Sequence, residues 1–346
     1  MLFRSTGGTG AVGTATIKDD GTGNYYAATN TTGTSSVPGG VVLDDDRTLS
    51  VNSFSVNEGS PYAVFTVTGV AGQLATLSLA NGTSTGLSGL QYYDASANGG
   101  SGGWVSYTSG TVALASNGTL LVRTSLTPEQ ETAIDNGETF TLTATNTGGT
   151  GAVGTATIKD DGTGNYYAAN NTTGTSSVPG GVVLDDDRTL TVNSITVNEG
   201  SPYATFTVTG ASGQLVKLDL SATTNASGNA ILGTDTANAG SGVPMQYWNG
   251  STWVDYQPNG YAAIPLGETT LLVRTAITND AVYEGAETFK LIATNTGGTT
   301  NTVSGTNTGI ATIKDDGTGD IFKYSGNNSG TPLLPDRKST RLNSSH

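Results

Sequence analysis

Apolar and polar residues alternate along short runs of this chain, and the runs come twice. In Ala75-Thr-Leu-Ser-Leu79 the two leucines return 141 residues later as Leu218 and Leu220, while Thr76 and Ser78 become Lys217 and Asp219. Retained apolar positions at period two, interleaved with drifting polar ones, mark a strand with one buried face. At Ala63 to Val67 the same comparison keeps Phe65 and Val67 as Phe206 and Val208, which assigns them to the core, and changes Val64 to Thr205. Further strands are predicted at 49–56, 91–93, 104–107, 119–124, 139–144 and 154–159. Their second-copy equivalents include 246–248, 253–256, 271–275 and 288–291. Helix is expected only as one turn at 128–132. Short strands of this number, separated by Gly/Ser/Asn-rich turns that absorb the length differences between copies, predict an all-β chain of β-sandwiches.

The repetition extends well beyond single strands. Ala11 to Gly23 returns as Ala152 to Gly164, Leu43-Asp-Asp-Asp-Arg47 returns as Leu184 to Arg188, and Ala311 to Gly319 repeats the closing strand a third time. A period of this length denotes whole domains rather than solenoid turns. The expected division is a closing strand of a preceding module at 6–23, a linker at 24–42, one sandwich at 43–162, a linker at 163–183, a second sandwich at 184–317 and the start of a further linker at 318–335. Residues 1–5 and 336–346 match the translation of a common sequencing adapter and are set aside, leaving a window of a longer reading frame. The two spacers are nearly identical and rich in Gly, Thr, Ser and Asn, the composition of a flexible linker. Tyr25-Tyr26, Tyr166-Tyr167 and the Val-Val-Leu runs 41–43 and 182–184 leave docking on a neighbouring domain equally open.

Setting the ends aside removes four of the 14 cations and one of the 28 acids, so the formal charge falls from −14 to −17. The one histidine, His346, goes with them, and the chain has no cysteine. Zinc sites, thiol nucleophiles and histidine-based triads are thereby excluded. So acidic a surface repels phosphate backbones, which argues against a nucleic-acid partner. No apolar run reaches the length of a membrane span, so no membrane insertion is expected of this fragment.

Three motifs carry a family resemblance. Val56-Asn-Glu-Gly59 ahead of an alternating strand, Asn279-Asp-Ala-Val-Tyr-Glu-Gly-Ala-Glu-Thr-Phe289, and the closing Ala-Thr-Ile-Lys-Asp-Asp-Gly resemble the Calx-beta domain. The resemblance spans 43–162 and 184–317. It implies tandem immunoglobulin-like β-sandwiches (Calx-beta-like), a family in which several members bind calcium at one pole.

Topology gives an independent reason for these motifs to cooperate. In a seven-stranded sandwich with successive strands antiparallel, the first, third and fifth loops and the end of the seventh strand share one pole. In the first copy this gathers Glu58, Asp160 and Asp161; gap-free alignment back from Phe140 adds Glu138, Asp135 and Glu131 opposite Glu287, Glu284 and Asp280. In the second copy it gathers Glu199, Asp280, Glu284, Glu287, Asp315 and Asp316. The third loop adds Asp235 in Gly233-Thr-Asp-Thr236, which resembles the family's Gly-x-Asp-Tyr ligand, whereas 81–89 of the first copy has no matching acid. Calcium takes about six to eight hard oxygens in tolerant geometry, and clustered carboxylates repel one another without a cation. Calcium is the expected cofactor, held more weakly in the first copy. Asp-Asp-Gly and Asn-Glu-Gly are also turn sequences in their own right, and Glu138 and Glu287 can simply open a strand on its solvent face. Asp44 to Asp46 and Asp185 to Asp187, just before the first strand of each copy, are expected at the opposite pole as solvated charge runs.

The expected function is a non-catalytic, calcium-stabilised stalk or extender repeat of a large bacterial cell-surface or secreted protein of adhesin type. Its expected partners are neighbouring repeats, with a glycan or surface ligand reached through other parts of the parent protein. A glycosidase would need two acids facing across a cleft, whereas these acids sit on loops at a domain end. The alternative is a carbohydrate-binding array using Trp248, Trp253 and Tyr256 as a stacking platform. The same residues, like Trp104 and Tyr107, also fit as half-buried strand aromatics. Arg123 and Arg274 are expected on the outer strand face.

Overall fold

The computed structural model describes residues 13–129, 135–223, 228–236, 245–297 and 306–322, with Gly330 and Pro332. Glu131 and the two adapter-like ends lie outside the described residues. The first repeat forms β1 (Ser50–Val51), β2 (Phe54–Asn57), β3 (Tyr62–Thr68), β4 (Leu74–Ala80), β5 (Leu90–Asp94), β6 (Gly103–Tyr107), β7 (Val112–Ala113), β8 (Thr119–Ser125), β9 (Thr139–Asn146) and β10 (Gly151–Lys159). They make two five-stranded sheets, β1-β3-β8-β5-β6 and β2-β10-β9-β4-β7. The second repeat forms β11 (Thr191–Val192), β12 (Ile195–Asn198), β13 (Tyr203–Thr209), β14 (Leu215–Ala222), β15 (Gln246–Trp248), β16 (Trp253–Asp255), β17 (Ala262–Ala263), β18 (Thr270–Ala276), β19 (Ala286–Thr294) and β20 (Thr306–Lys314). Its strand order is the same. The chain is therefore a pair of tandem immunoglobulin-like β-sandwiches. No helix among the described residues is long and apolar enough to cross a membrane. Of the helical turn expected at 128–132, residues 130–132 lie outside the described residues, and a 3-10 turn is seen at Thr127–Glu129.

Each core lies where alternation places it. Phe65, Val67, Phe140 and Leu142 are wholly buried, and Phe65 meets Phe140 across the two sheets edge-on, ring centroids 5.8 Å apart. Phe206 and Phe289 repeat that contact at the same distance. The strand expected at 49–56 is broken. β1 pairs antiparallel with β3, whereas β2 pairs parallel with β10, so the chain changes sheets at Asn52-Ser53. Gly154 permits the crossing, because a Cβ there would lie 2.3 Å from the Asn52 carbonyl oxygen. A side chain at that position would force the crossing backbone off the sheet.

The second spacer is docked over residues 165–174. Asn165 and Tyr167 bridge to Val56 and Tyr62, and Tyr167 donates its N–H to Ser60 Oγ at 2.8 Å. The Tyr167 side chain, 3% exposed, belongs to the first core and stacks edge-on against Phe54. Burial of such a ring contributes about 2 kcal/mol. Beyond it, Trp104 Nε1 donates to the Asn171 carbonyl at 2.8 Å and Arg123 Nη1 to that of Ala169 at 2.9 Å. Arg123 lies on the outer face as expected, yet it is buried, sandwiched between the rings of Tyr62 and Trp104 at 3.8 and 4.2 Å. The spacer thus roofs a face that alternation alone reads as solvated, and the drifting positions Val64 and Thr205 are buried too. In the second repeat Phe322 takes the place of Tyr167, buried and bonded through its N–H to Ser201 Oγ.

Candidate metal centre

In the second repeat the acid pole assembles from four loops. Glu199 follows β12 in a turn closed by Ser201 N–H on the Asn198 carbonyl, 2.8 Å. Asp235 lies between β14 and β15, Asp280 and Glu284 between β18 and β19, Glu287 in β19, and Asp315 after β20. These six acids line one cavity. Asp235, Glu284 and Glu287 each offer an oxygen within 4.8 Å of the others. Main-chain donors hold the loops in register: Asp280 N–H on Glu199 Oε1 at 2.9 Å, and Ile231 N–H on Asp235 Oδ2 at 2.6 Å. Burial, then the charges of Asp235 and Glu284, push the Glu287 carboxyl up to about 7. Glu284 is raised as well, by desolvation first and by Asp235 and Asp280 after it. Asp316 turns away. It accepts the Thr318 hydroxyl and N–H and pairs with Lys314 at 3.9 Å, and the Thr318 hydroxyl holds its pKa down.

In the first repeat the expected acids divide. Asp161 copies Asp316, capping Thr163 and reaching Lys159 at 4.0 Å and Asn136 at 3.0 Å. Asp135 is exposed and gives its N–H to Asp160 Oδ2 at 2.9 Å. Glu138, half-buried, accepts the Ile158 N–H on its carbonyl where β9 begins. Glu129, which sequence reasoning passed over, is buried and accepts the Thr85 N–H at 2.8 Å, so an acid of the fifth loop serves the acid-free third loop. The carboxylates that gather with Glu58 are Asp185 and Asp187, all within 4.8 Å of one another.

This corrects the expectation for the Asp185 to Asp187 run. All three residues are 2–3% exposed. In a tandem array the leading segment of one repeat runs past the trailing pole of the repeat before it, so opposite poles of consecutive domains meet. Asn57 makes the joint: its Oδ1 accepts the Asp185 N–H at 2.9 Å and its Nδ2 donates to the Asp185 carbonyl at 3.0 Å. Asp187 N–H reaches the Asp160 carbonyl at 2.9 Å. The middle acid is structural, since Asp186 holds Arg188 through two hydrogen bonds, 2.8 and 2.6 Å. Asp45 and Arg47 form the same pair in the first repeat, where Asp44 and Asp46 are exposed as expected.

The donor set suits a hard cation: carboxylate and carbonyl oxygens, no nitrogen or sulfur ligand. Asp160 supplies the sharpest sign. It is 2% exposed, its Oδ1 accepts no hydrogen bond from the described residues, and burial raises its pKa. A buried carboxylate oxygen in that state calls for a proton, an ordered water or a cation.

The aromatic platform does not assemble. Tyr256 is 4% exposed and spends its hydroxyl on Gly260 O and Leu218 N–H. Trp248 and Trp253 meet edge-on rather than side by side, and Arg274 covers the Trp253 ring at 4.1 Å.

No protein-family model matches the chain, and no curated protein matches it. Among solved structures it is similar to an apo-form Calx CBD1 domain, at 17% identity over 37% of this chain and 98% of that one, TM-score 0.23. It is similar to EC1-3 of a mouse clustered protocadherin, at 14% identity over 79% of this chain and 70% of that one, TM-score 0.32. A third is the CupB6 tip adhesin from Pseudomonas aeruginosa, at 12% identity over 78% of this chain and 98% of that one, TM-score 0.21. The tandem β-sandwich fold rests on the chain's own strand order and registers.

Proposed function

We propose that this chain is a run of non-catalytic, calcium-stabilised structural repeats, a stalk or extender segment of a large bacterial cell-surface or secreted protein of adhesin type. One observation carries the reading: consecutive repeats are tied by directed bonds rather than joined by a free tether. The spacer is anchored by Tyr167, Trp104 and Arg123, and the leader of the second repeat is bonded to Asn57 and Asp160 of the first. A stalk needs junctions of this kind to hold a distal ligand-binding part away from its anchor. Near-identity of the spacers fits a role set by length and repetition rather than by one unique site. The partners are then neighbouring repeats, and any glycan or surface ligand is met elsewhere in the parent protein.

Calcium is assigned to both acid poles. A cation that binds only the folded state raises stability by mass action, about 2.7 kcal/mol at a hundredfold excess over Kd. Calcium titrated into the chain, against a chelator control, is expected to raise the melting temperature of both sandwiches. No shift in either would refute the assignment.

A further inference from the structure

We propose that the acid pole of the first sandwich and the leading acid run of the second form one divalent-cation site to which both repeats contribute: Glu58 and Asp160 from one side, Asp185 and Asp187 from the other. The inference rests on the calcium reading above and changes what the cation does, from stabilising one domain to latching two.

Three observations converge. Glu58, Asp185 and Asp187, each about 2% exposed, bring carboxylate oxygens within 4.8 Å of one another. Asp160 stands between the two sides, because the carbonyl before it accepts the Glu58 N–H at 2.8 Å and its own carbonyl accepts the Asp187 N–H at 2.9 Å. Its buried Oδ1 has no hydrogen-bond donor among the described residues. The third observation is a comparison internal to the chain. The run Leu-Asp-Asp-Asp-Arg occurs twice, and where a complete sandwich precedes it the flanking acids are buried, whereas Asp44 and Asp46, which follow described residues 13–23 that form no strand, are exposed. Identical residues are thus drawn inward by the neighbouring pole.

Buried carboxylates of two chain segments in this proximity favour separation of the repeats when ionised and closure when a dication lies among them. Oxygen donors alone select calcium or magnesium over softer metals, and the irregular loop geometry favours calcium.

The test is calorimetric titration of calcium chloride into the whole chain and into two double variants, Asp185→Asn with Asp187→Asn, and Asp44→Asn with Asp46→Asn. Binding by the parent with loss of a site, or about a tenfold or greater weakening of one, in the first variant only is the expected result. In chelator the first variant is expected to melt no lower than the parent, since removing crowded charge relieves repulsion; this separates ligand loss from misfolding. Equal stoichiometry and affinity in the parent and in the Asp185/Asp187 variant would overturn the shared site while leaving calcium at the poles. No calcium binding by the parent would overturn both.

Discussion

At the scale of single residues, the surroundings of Glu287 oppose its ionisation. Its folded pKa, about 7, lies above the ordinary 4.5, so its contribution to folding is complete below about pH 4.5 and is lost as pH rises through about 7. Metal-free second repeat should therefore lose stability over that window, and Glu287→Gln should flatten the decline. Thermal unfolding in chelator between pH 4.5 and 8 measures both. Saturating calcium should reverse the slope, since it binds the ionised form. Glu199→Gln or Asp315→Asn should remove most of the calcium-dependent rise in melting temperature of the second sandwich, whereas Asp316→Asn should not, because Asp316 serves Thr318 and Lys314. Sequence placed Asp315 and Asp316 together at the pole. Their opposite roles follow from side-chain direction at a turn, which adjacency in sequence does not specify.

At the scale of elements, the spacer that follows the first sandwich is one of its packing partners. Tyr167→Ala should cost the first sandwich about 3 kcal/mol, as loss of a buried ring does elsewhere, and leave the second unaffected; two-transition thermal unfolding distinguishes them. Gly154→Ala should destabilise the first sandwich through the clash with the Asn52 carbonyl. The strands themselves were legible, because alternation reports burial against the opposing sheet and repeats the report in two copies. Two features were missed. The change of sheet at Asn52-Ser53 is marked only by two adjacent polar residues, which shift the apolar phase from Leu49 and Val51 to Phe54 and Val56. The roofed outer face of the first sandwich is invisible because Val64 and Arg123 vary between copies or carry charge, while the segment that covers them looks like a linker. The paired Tyr166-Tyr167, like the Val-Val-Leu run 182–184, is a local sign that the spacer has something to bury.

At the scale of the molecule, the acid clusters divide into a pole within one repeat and a joint between two. The pole of the second repeat could be read from sequence, since its loops carry acids at spacings that a sandwich brings to one end. The joint could not, because alternation and loop counting describe one domain at a time, and Asp185 to Asp187 belongs to one domain while facing another. If calcium fixes such joints, the chain should become stiffer with the metal. Small-angle scattering of the whole chain with calcium and with chelator tests this most directly. The account predicts an elongated monomer whose maximum dimension grows, or whose distance distribution sharpens into that of a defined rod, when calcium is added. A compact profile in both conditions, or an extended one indifferent to the metal, would contradict it.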